Sequence, residues 1–180
     1  MFPLTKPAQT ELLRIARHSL EELLLRGKKH PQAREFAELS EPRGVFVTLH
    51  SGGRLRGCIG VPSTTVPLCE AVQKCAISAA TADPRFAPVK AEELGGLVIE
   101  ISVLSHLEPV SRAEDIEIGT HGLLVTHQGR RGLLLPQVAE EHEWDRETFL
   151  QQVCRKAALP LNSWKEGAEI ERFSAQVFHE

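Results

Sequence analysis

The sequence has no long hydrophobic run. Its most apolar window, Leu94 to Leu104, is about half as long as a membrane-spanning helix and is interrupted by Glu100. The first residues, MFPLTKPAQTELL, also lack the basic segment and the apolar stretch of a secretory signal peptide. We therefore expect a cytoplasmic protein without a membrane partner.

An excess of positive charge is missing as well. The 180 residues include 21 Lys and Arg against 24 Asp and Glu, a formal net charge of -3. Broad affinity for nucleic acids requires a net basic surface, so the composition does not indicate RNA as a partner, although it does not exclude RNA. A local basic patch stays open, because five arginines fall in or near turns marked by glycine or proline: Arg54, Arg56, Arg85, Arg130 and Arg131.

Cysteine is also scarce. Four cysteines in a chain of this length do not resemble the disulfide framework of a secreted protein, so we expect free thiols. The short motifs of dinucleotide, P-loop, zinc-protease, serine-hydrolase and paired-cysteine sites are absent from the sequence. The spacing of potential metal ligands does not indicate a metal site, and the sequence identifies no cofactor.

The sequence does contain enough apolar residues to form a hydrophobic core without disulfides or a metal. Apolar residues make up 42% of the chain, and we predict one domain over residues 1–180, divided into two lobes. Hydrophobic periodicity predicts three helices, which are Ala8–Arg26, Pro67–Ala82 and Glu147–Ala158. A polar segment, residues 28–44, links the first helix to the first strand.

Strand patterns indicate an antiparallel sheet. Hairpins are predicted around Gly52-Gly53 and Gln128-Gly129, and further strands over Val98–Leu104 and within residues 169–180. Helices and hairpins do not alternate regularly, which favours an α+β fold with an antiparallel sheet flanked by helices over a doubly wound fold. If Gly52-Gly53 forms a two-residue loop, Val47 faces Cys58 and Leu49 faces Arg56.

Cys58, in the stretch LRGCIG, is the leading catalytic candidate. A thiol reacts as the thiolate, which neighbouring cations favour. Strand alternation predicts Arg54 and Arg56 on the same face as Cys58 and Leu55 on the other. The alternative is close packing, because cysteine is often buried and strand glycines such as Gly57 often mark bulges.

Proton transfer would need a second group. His121 is framed by glycines in GTHG and is a candidate general base, with His50 as the other histidine to consider. Either could equally be a turn histidine in water. Glu100 is a candidate acid or base if it faces a pocket, and an ordinary surface residue if it faces water.

Asp83-Pro84-Arg85-Phe86 follows the second predicted helix. Asp83 there can cap the chain or pair with Arg85, while Phe86 anchors the loop. In the alternative, this is a binding loop in which Arg85 holds an anionic substrate, with Asp83 and Arg56 beside it.

Together these stretches resemble the AMMECR-one domain family. The resemblance rests on LRGCIG, DPRF (Asp83 to Phe86), EISVLS (Glu100 to Ser105), GTHGLLV (Gly119 to Val125) and RGLLLPQVA (Arg131 to Ala139). The later WDRETFL, CRKAALP and the closing F-x-A-x-x-F pattern fit too, and the similarity covers nearly the whole chain in order. The sequence shows no clear departure from the family pattern, and the weakest match is CRKAALP, where the family often has glycine at a position like Ala158.

The resemblance implies a two-lobed α+β fold with LRGCIG near the cleft between the lobes. It also implies a role as first component of the AmmeMemoRadiSam system, whose partners are a Memo-type, dioxygenase-like protein and a radical SAM protein. That association suggests a modification enzyme acting on RNA or a small metabolite, and the reaction is not established for the family.

Two hypotheses follow. In the first, the chain is an enzyme or a substrate-presenting component in which Cys58 is the nucleophile or covalent carrier. His121 or Glu100 transfers the proton, and Arg56, Asp83 and Arg85 bind the substrate. In the second, the chain is a non-enzymatic interaction module, and LRGCIG is only a packed strand.

Overall fold

The computed structural model describes residues 3–27 and 39–180. Of the predicted polar segment, residues 28–38 lie outside the described residues. The chain divides into two compact units. The first unit comprises Met1–Leu104 and Gln176–Glu180, and the second comprises Ser105–Ala175.

Helix α1 (Lys6–Arg26) opens the first unit and confirms the first predicted helix, with a start two residues earlier. The side chain of Thr5 caps its beginning by accepting a hydrogen bond from the Ala8 N–H. Gly27 ends the helix in the left-handed region, at a φ of 66°, where a glycine meets no steric penalty. Both ends of α1 are therefore fixed by local sequence.

Four strands form the sheet of the first unit, in the order β2-β1-β3-β8. They are β1 (Val45–Ser51), β2 (Arg54–Val61), β3 (Leu97–Leu104) and β8 (Ala175–His179). Helix α2 (Leu68–Thr81) packs against β1 and β2, and α1 packs against α2 and β3. One face of the sheet thus lies on the hydrophobic core, and alternate β1 residues are buried there.

The second unit has its own sheet and core. Its strands, in the order β4-β7-β5-β6, are β4 (Glu108–Pro109), β5 (Gly122–His127), β6 (Arg130–Leu134) and β7 (Glu169–Phe173). Helices α3 (Pro136–Glu141) and α4 (Arg146–Lys156) follow β6, and α4 packs on β5 and β6. Gly132 permits this close approach, because a Cβ there would lie 2.6 Å from the Ala157 nitrogen.

These elements confirm the α+β class with antiparallel sheets and flanking helices. One strand prediction was wrong. The single strand expected within residues 169–180 is two strands, β7 and β8, which belong to different sheets. The break falls at Ser174, whose N–H donates to Ser105 Oγ and whose carbonyl accepts from the Ser105 N–H.

The register predicted for the first hairpin was also wrong beyond its turn. Gly52 and Gly53 form the expected two-residue turn with positive φ, but the register shifts between Leu49 and His50. Arg56 is the extra residue of a β-bulge, so Leu49 pairs with Gly57 instead of Arg56.

The bulge changes which side chains share a face with Cys58. Thr48, and not Val47, is the cross-strand partner of Cys58. Leu55 pairs with His50 and therefore shares the face of Cys58, whereas Arg54 pairs with Ser51 on the opposite face. The prediction from strict alternation was wrong here, because the extra residue Arg56 moves the β2 side chains that precede it to the opposite face of the sheet.

Candidate functional site

Cys58 lies in the middle of β2, an edge strand, and its side chain is half-buried. Its sulfur is on the sheet face opposite the core, because its partner Thr48 alternates with the buried Val47 and Leu49. Thr48 Oγ1 donates a hydrogen bond to Cys58 Sγ over 3.3 Å. The Cys58 thiol therefore has a hydroxyl partner on this face of the sheet.

Glu100 continues this row across the sheet. Thr48 pairs with Cys58 on one side and with Glu100 on the other, so the three side chains occupy neighbouring positions on one face. Adjacent strands are about 4.8 Å apart, which puts the Glu100 backbone about 10 Å from that of Cys58. In the register of the sheet, Thr48 therefore stands between Glu100 and Cys58.

The backbone of Cys58 is held from the open edge of β2. The Cys58 N–H donates to Asp83 Oδ2 over 2.9 Å, and Arg85 Nη2 lies 3.5 Å from the Cys58 carbonyl oxygen. Asp83 is buried and forms a bidentate ion pair with Arg85, at 2.6 and 2.9 Å. The Arg85 guanidinium, and then the N–H groups of Cys58 and Arg85, hold the pKa of Asp83 far below its usual range.

Arg56 is held by a second ion pair. Its Nε and Nη2 contact the two carboxylate oxygens of Glu93 at 2.7 and 3.0 Å, and its Nη1 donates to the Ala87 carbonyl. The hydrogen bonds from Arg56, followed by that from the Lys90 N–H, lower the pKa of Glu93 to about 2. Arg56 thus fastens the bulge to the short 3-10 helix Ala91–Gly96.

The two glycines of LRGCIG have a packing explanation. A Cβ at Gly57 would overlap the Ala79 carbonyl of α2, and one at Gly60 would overlap the Phe46 ring. Both positions therefore require glycine for close approach. The packing interpretation is correct for the glycines, while the thiol between them stays half exposed.

The other three thiols are less available. Cys75 and Cys154 are buried, and Cys69 is half-buried on α2. Burial, and secondarily the neighbouring Cys58, raises the pKa of Cys75 to about 11. Burial also raises the pKa values of Cys69 and Cys154. These three thiols are therefore harder to deprotonate than a thiol in water.

His121 lies in the second unit. Its Nδ1 accepts a hydrogen bond of 2.9 Å from the Glu117 N–H, so the neutral ring carries its proton on Nε2. Desolvation, and then the charge of Arg172, lowers the pKa of His121. The ring closes a turn, and its part in proton transfer at Cys58 stays a prediction.

The structure brings five of the six predicted site residues together in the first unit: Arg56, Cys58, Asp83, Arg85 and Glu100. Sequence reasoning missed Thr48 and Glu93. The bulge hid Thr48, since the expected register placed an apolar neighbour beside the thiol. Glu93 gave no signal, because its partner is 37 residues away in the chain.

None of the described helices is long and apolar enough to cross a membrane. Within residues 3–27 and 39–180, no group of three or more His, Cys, Asp or Glu side chains is arranged to hold a metal ion.

Comparison with known proteins confirms the family resemblance. Residues 13–178 match the sequence model of the AMMECR1 family. A Methanothermobacter thermautotrophicus protein is 46% identical over 99% of this chain and 97% of its own length, and a Methanocaldococcus jannaschii protein is 45% identical over 98% and 92%. The crystal structure of an uncharacterized Pyrococcus horikoshii protein has a TM-score of 0.86 at 44% identity, covering 94% of this chain and 89% of that one. This chain therefore belongs to the AMMECR1 family.

Proposed function

We propose that this chain is a thiol-dependent component of an AmmeMemoRadiSam-type modification pathway in the cytoplasm. Family membership supports the pathway, because the family resembles the first component of that system. A Memo-type, dioxygenase-like protein and a radical SAM protein are the partners in this proposal. The observation that carries the thiol chemistry is the 3.3 Å hydrogen bond from Thr48 Oγ1 to Cys58 Sγ on the face of the sheet opposite the core.

Cys58 is the nucleophile or covalent carrier for a small metabolite. In the simplest step, its sulfur adds to a carbonyl carbon of the substrate and forms a carbon–sulfur bond while the carbonyl π bond opens. The thiol proton ends on the carbonyl oxygen, so the step needs no leaving group and no co-reactant. The reverse step releases the substrate unchanged, which suits a component that presents a substrate to partners.

Glu100 moves the proton in this proposal. Thr48 stands between Glu100 and Cys58 in the register of the sheet, so transfer passes through the Thr48 hydroxyl or a water molecule beside it. The alternative is that His121 is the base. A Glu100→Gln variant separates the two, because it removes the carboxylate while keeping the size of the side chain.

Arg85 contacts the substrate more readily than Arg56 does. The Arg85 side chain is 54% exposed, and its Nη1 has no hydrogen bond to any described residue. The Arg56 side chain is 17% exposed, and all three of its guanidinium nitrogens are bonded. We assign Arg85 to an anionic group of the substrate, and Asp83 and Arg56 to positioning.

Reconstitution with the two partner proteins tests this function. We expect Cys58→Ser to abolish product formation while the urea midpoint of unfolding stays near that of the wild type. Cys69→Ser is the matched control and keeps activity. Full activity of Cys58→Ser would contradict the thiol role, and failure of both partner proteins to co-purify with the wild type would contradict the pathway.

An interaction module is the second candidate, and one observation favours it. Leu55 and Val98, which are 40% and 44% exposed, flank His50 on the same sheet face as Cys58. Exposed apolar side chains on one face favour protein binding. If the module is correct, a Leu55→Ser and Val98→Ser double variant loses the partner, whereas Cys58→Ser keeps both partner and pathway activity.

A further inference from the structure

The second unit contains a cavity that the thiol site does not use. Its volume is about 360 Å³, within the range of small-molecule sites. It is formed by β6, by α4 and by the segment between α3 and α4. Its lining residues are Leu134, Trp144, Gln152, Arg155 and Lys156.

The cavity is positively charged. Arg155 and Lys156 both line it, and no carboxylate is among its described lining residues. Neither cation forms an ion pair within residues 3–27 and 39–180. Unpaired Arg and Lys side chains at the wall of a cavity favour an anionic ligand, and phosphate above all.

These two cations are not needed to cap α4. The Leu159 N–H donates to the Cys154 carbonyl and the Ala158 N–H to the Arg155 carbonyl, both over 2.9 Å. Arg130 Nη1 donates to the Ala158 carbonyl over 2.7 Å. The end of the helix is therefore closed by backbone groups and by Arg130. The side chains of Arg155 and Lys156 remain available to a ligand.

An aromatic ring and an amide complete the lining. The His142 ring stacks on the Trp144 indole, with centroids 4.6 Å apart, and this contact fixes the indole orientation. Indole rings bind planar rings by stacking, and the Gln152 amide both donates and accepts hydrogen bonds. We propose that this cavity binds a small aromatic phosphate with the size and chemistry of a nucleoside monophosphate.

The backbone on both sides of the lining is fixed by helix ends. Glu143, directly before Trp144, and Ala158, just after Lys156, have positive φ values of 53° and 56°. In both places the left-handed residue ends a helix, because the Trp144 N–H donates to the Ala139 carbonyl and the Leu159 N–H donates to the Cys154 carbonyl. The cavity therefore lies between two capped helix ends.

Calorimetric titration of the full chain with AMP, GMP, CMP and UMP tests the site. We expect at least one to bind more tightly than its nucleoside or inorganic phosphate alone. Arg155→Ala weakens that binding about ten- to a hundredfold, since a charge-assisted hydrogen bond contributes roughly 1.5–3 kcal/mol and each 1.4 kcal/mol is a factor of ten. Trp144→Leu weakens it as well. Arg112→Ala, an exposed cation of the same unit outside this cavity, leaves the affinity unchanged.

Three results would overturn the proposal. They are no heat of binding at millimolar nucleotide, binding that Arg155→Ala and Lys156→Ala together leave unchanged, and inorganic phosphate binding as tightly as every nucleotide. Circular dichroism and the urea midpoint of each variant establish that it is folded. The site does not depend on Cys58, so a Cys58→Ser protein binds nucleotide normally, and failure here leaves the thiol function standing.

Discussion

In the first unit Arg56 and Arg85 lie against Glu93 and Asp83, whereas in the second unit Arg155 and Lys156 line a cavity without a described carboxylate partner. The first pair of cations holds backbone in place. Arg85 supports the carboxylate that accepts the Cys58 N–H, and Arg56 fastens the bulge before it. A carboxylate partner therefore gives Arg56 and Arg85 a structural role that Arg155 and Lys156 lack, and only the Nη1 of Arg85, which has no hydrogen bond to a described residue, stays available to a substrate anion.

Removing Asp83 should reveal the largest difference in stability between the two sets of cations. Asp83→Ala leaves the Cys58 N–H without its acceptor and Arg85 without its partner, so we expect a loss of about 2–3 kcal/mol in the free energy of unfolding. Arg155→Ala, in the second unit, changes it by less than about 0.5 kcal/mol. Urea unfolding measures both. Equal losses in the free energy of unfolding would show that both sets of cations stabilise the fold, and would contradict the distinction.

Close packing under the thiol gives the next largest effect. Gly57→Ala forces a Cβ into the Ala79 carbonyl, and overpacking of this kind costs roughly 1–3 kcal/mol. Gly95→Ala is the matched control, because no atom lies within 4 Å of a Cβ there. Thermal unfolding of the two variants measures the difference. A Gly57→Ala protein as stable as Gly95→Ala would refute the packing explanation.

The pH dependence of stability tests the ion pair between Arg56 and Glu93 in the first unit. Arg56 lowers the pKa of Glu93 from 4.5 to about 2, so the pair stabilises the protein above the unfolded pKa and loses that effect as pH falls between these values. We expect Glu93→Gln to be about 1 kcal/mol less stable than the wild type near neutral pH and equal to it near pH 2. A difference that does not depend on pH would contradict the ion pair.

The smallest expected effect is at the rim of the cavity. Ala158 has a φ of 56°, and Ala158→Gly removes the strain of the left-handed conformation at some cost in chain entropy. We expect a net gain of about 0.5–1 kcal/mol in the free energy of unfolding, measured in urea, with the nucleotide affinity retained. A loss of stability would show that the methyl group contributes packing that outweighs the strain.

Local signals predicted most of the fold. Gly27, Gly52-Gly53 and Gln128-Gly129 marked a helix end and two turns because their backbone geometry is set within a few residues. Periodicity located α1, α2 and α4 for the same reason, whereas the short helix α3 was not predicted. Ser174 escaped prediction, because what divides the last strand is a partner, Ser105, from a distant part of the chain.

For the candidate site, the sequence pointed to five residues that lie in the first unit, but not to their arrangement and not to Thr48 or Glu93. Cys58, Asp83 and Arg85 stood out by type and context, and the pairing of Asp83 with Arg85 was among the alternatives, since the two are close in sequence. The bulge at Arg56 depends on contacts with Glu93 and with the loop after α2. No pattern within β2 could reveal it, and so Thr48 was missed as the neighbour of the thiol.

The most direct test of the account is competitive alkylation of the folded protein with iodoacetamide, followed by peptide mapping. We expect Cys58 to react before Cys69, Cys75 and Cys154, because among the four thiols it alone combines partial exposure with a hydroxyl donor to sulfur. We also expect Thr48→Val to slow the reaction at Cys58 while the urea midpoint stays unchanged. Modification of Cys69 before Cys58, or a rate at Cys58 that Thr48→Val does not alter, would contradict it.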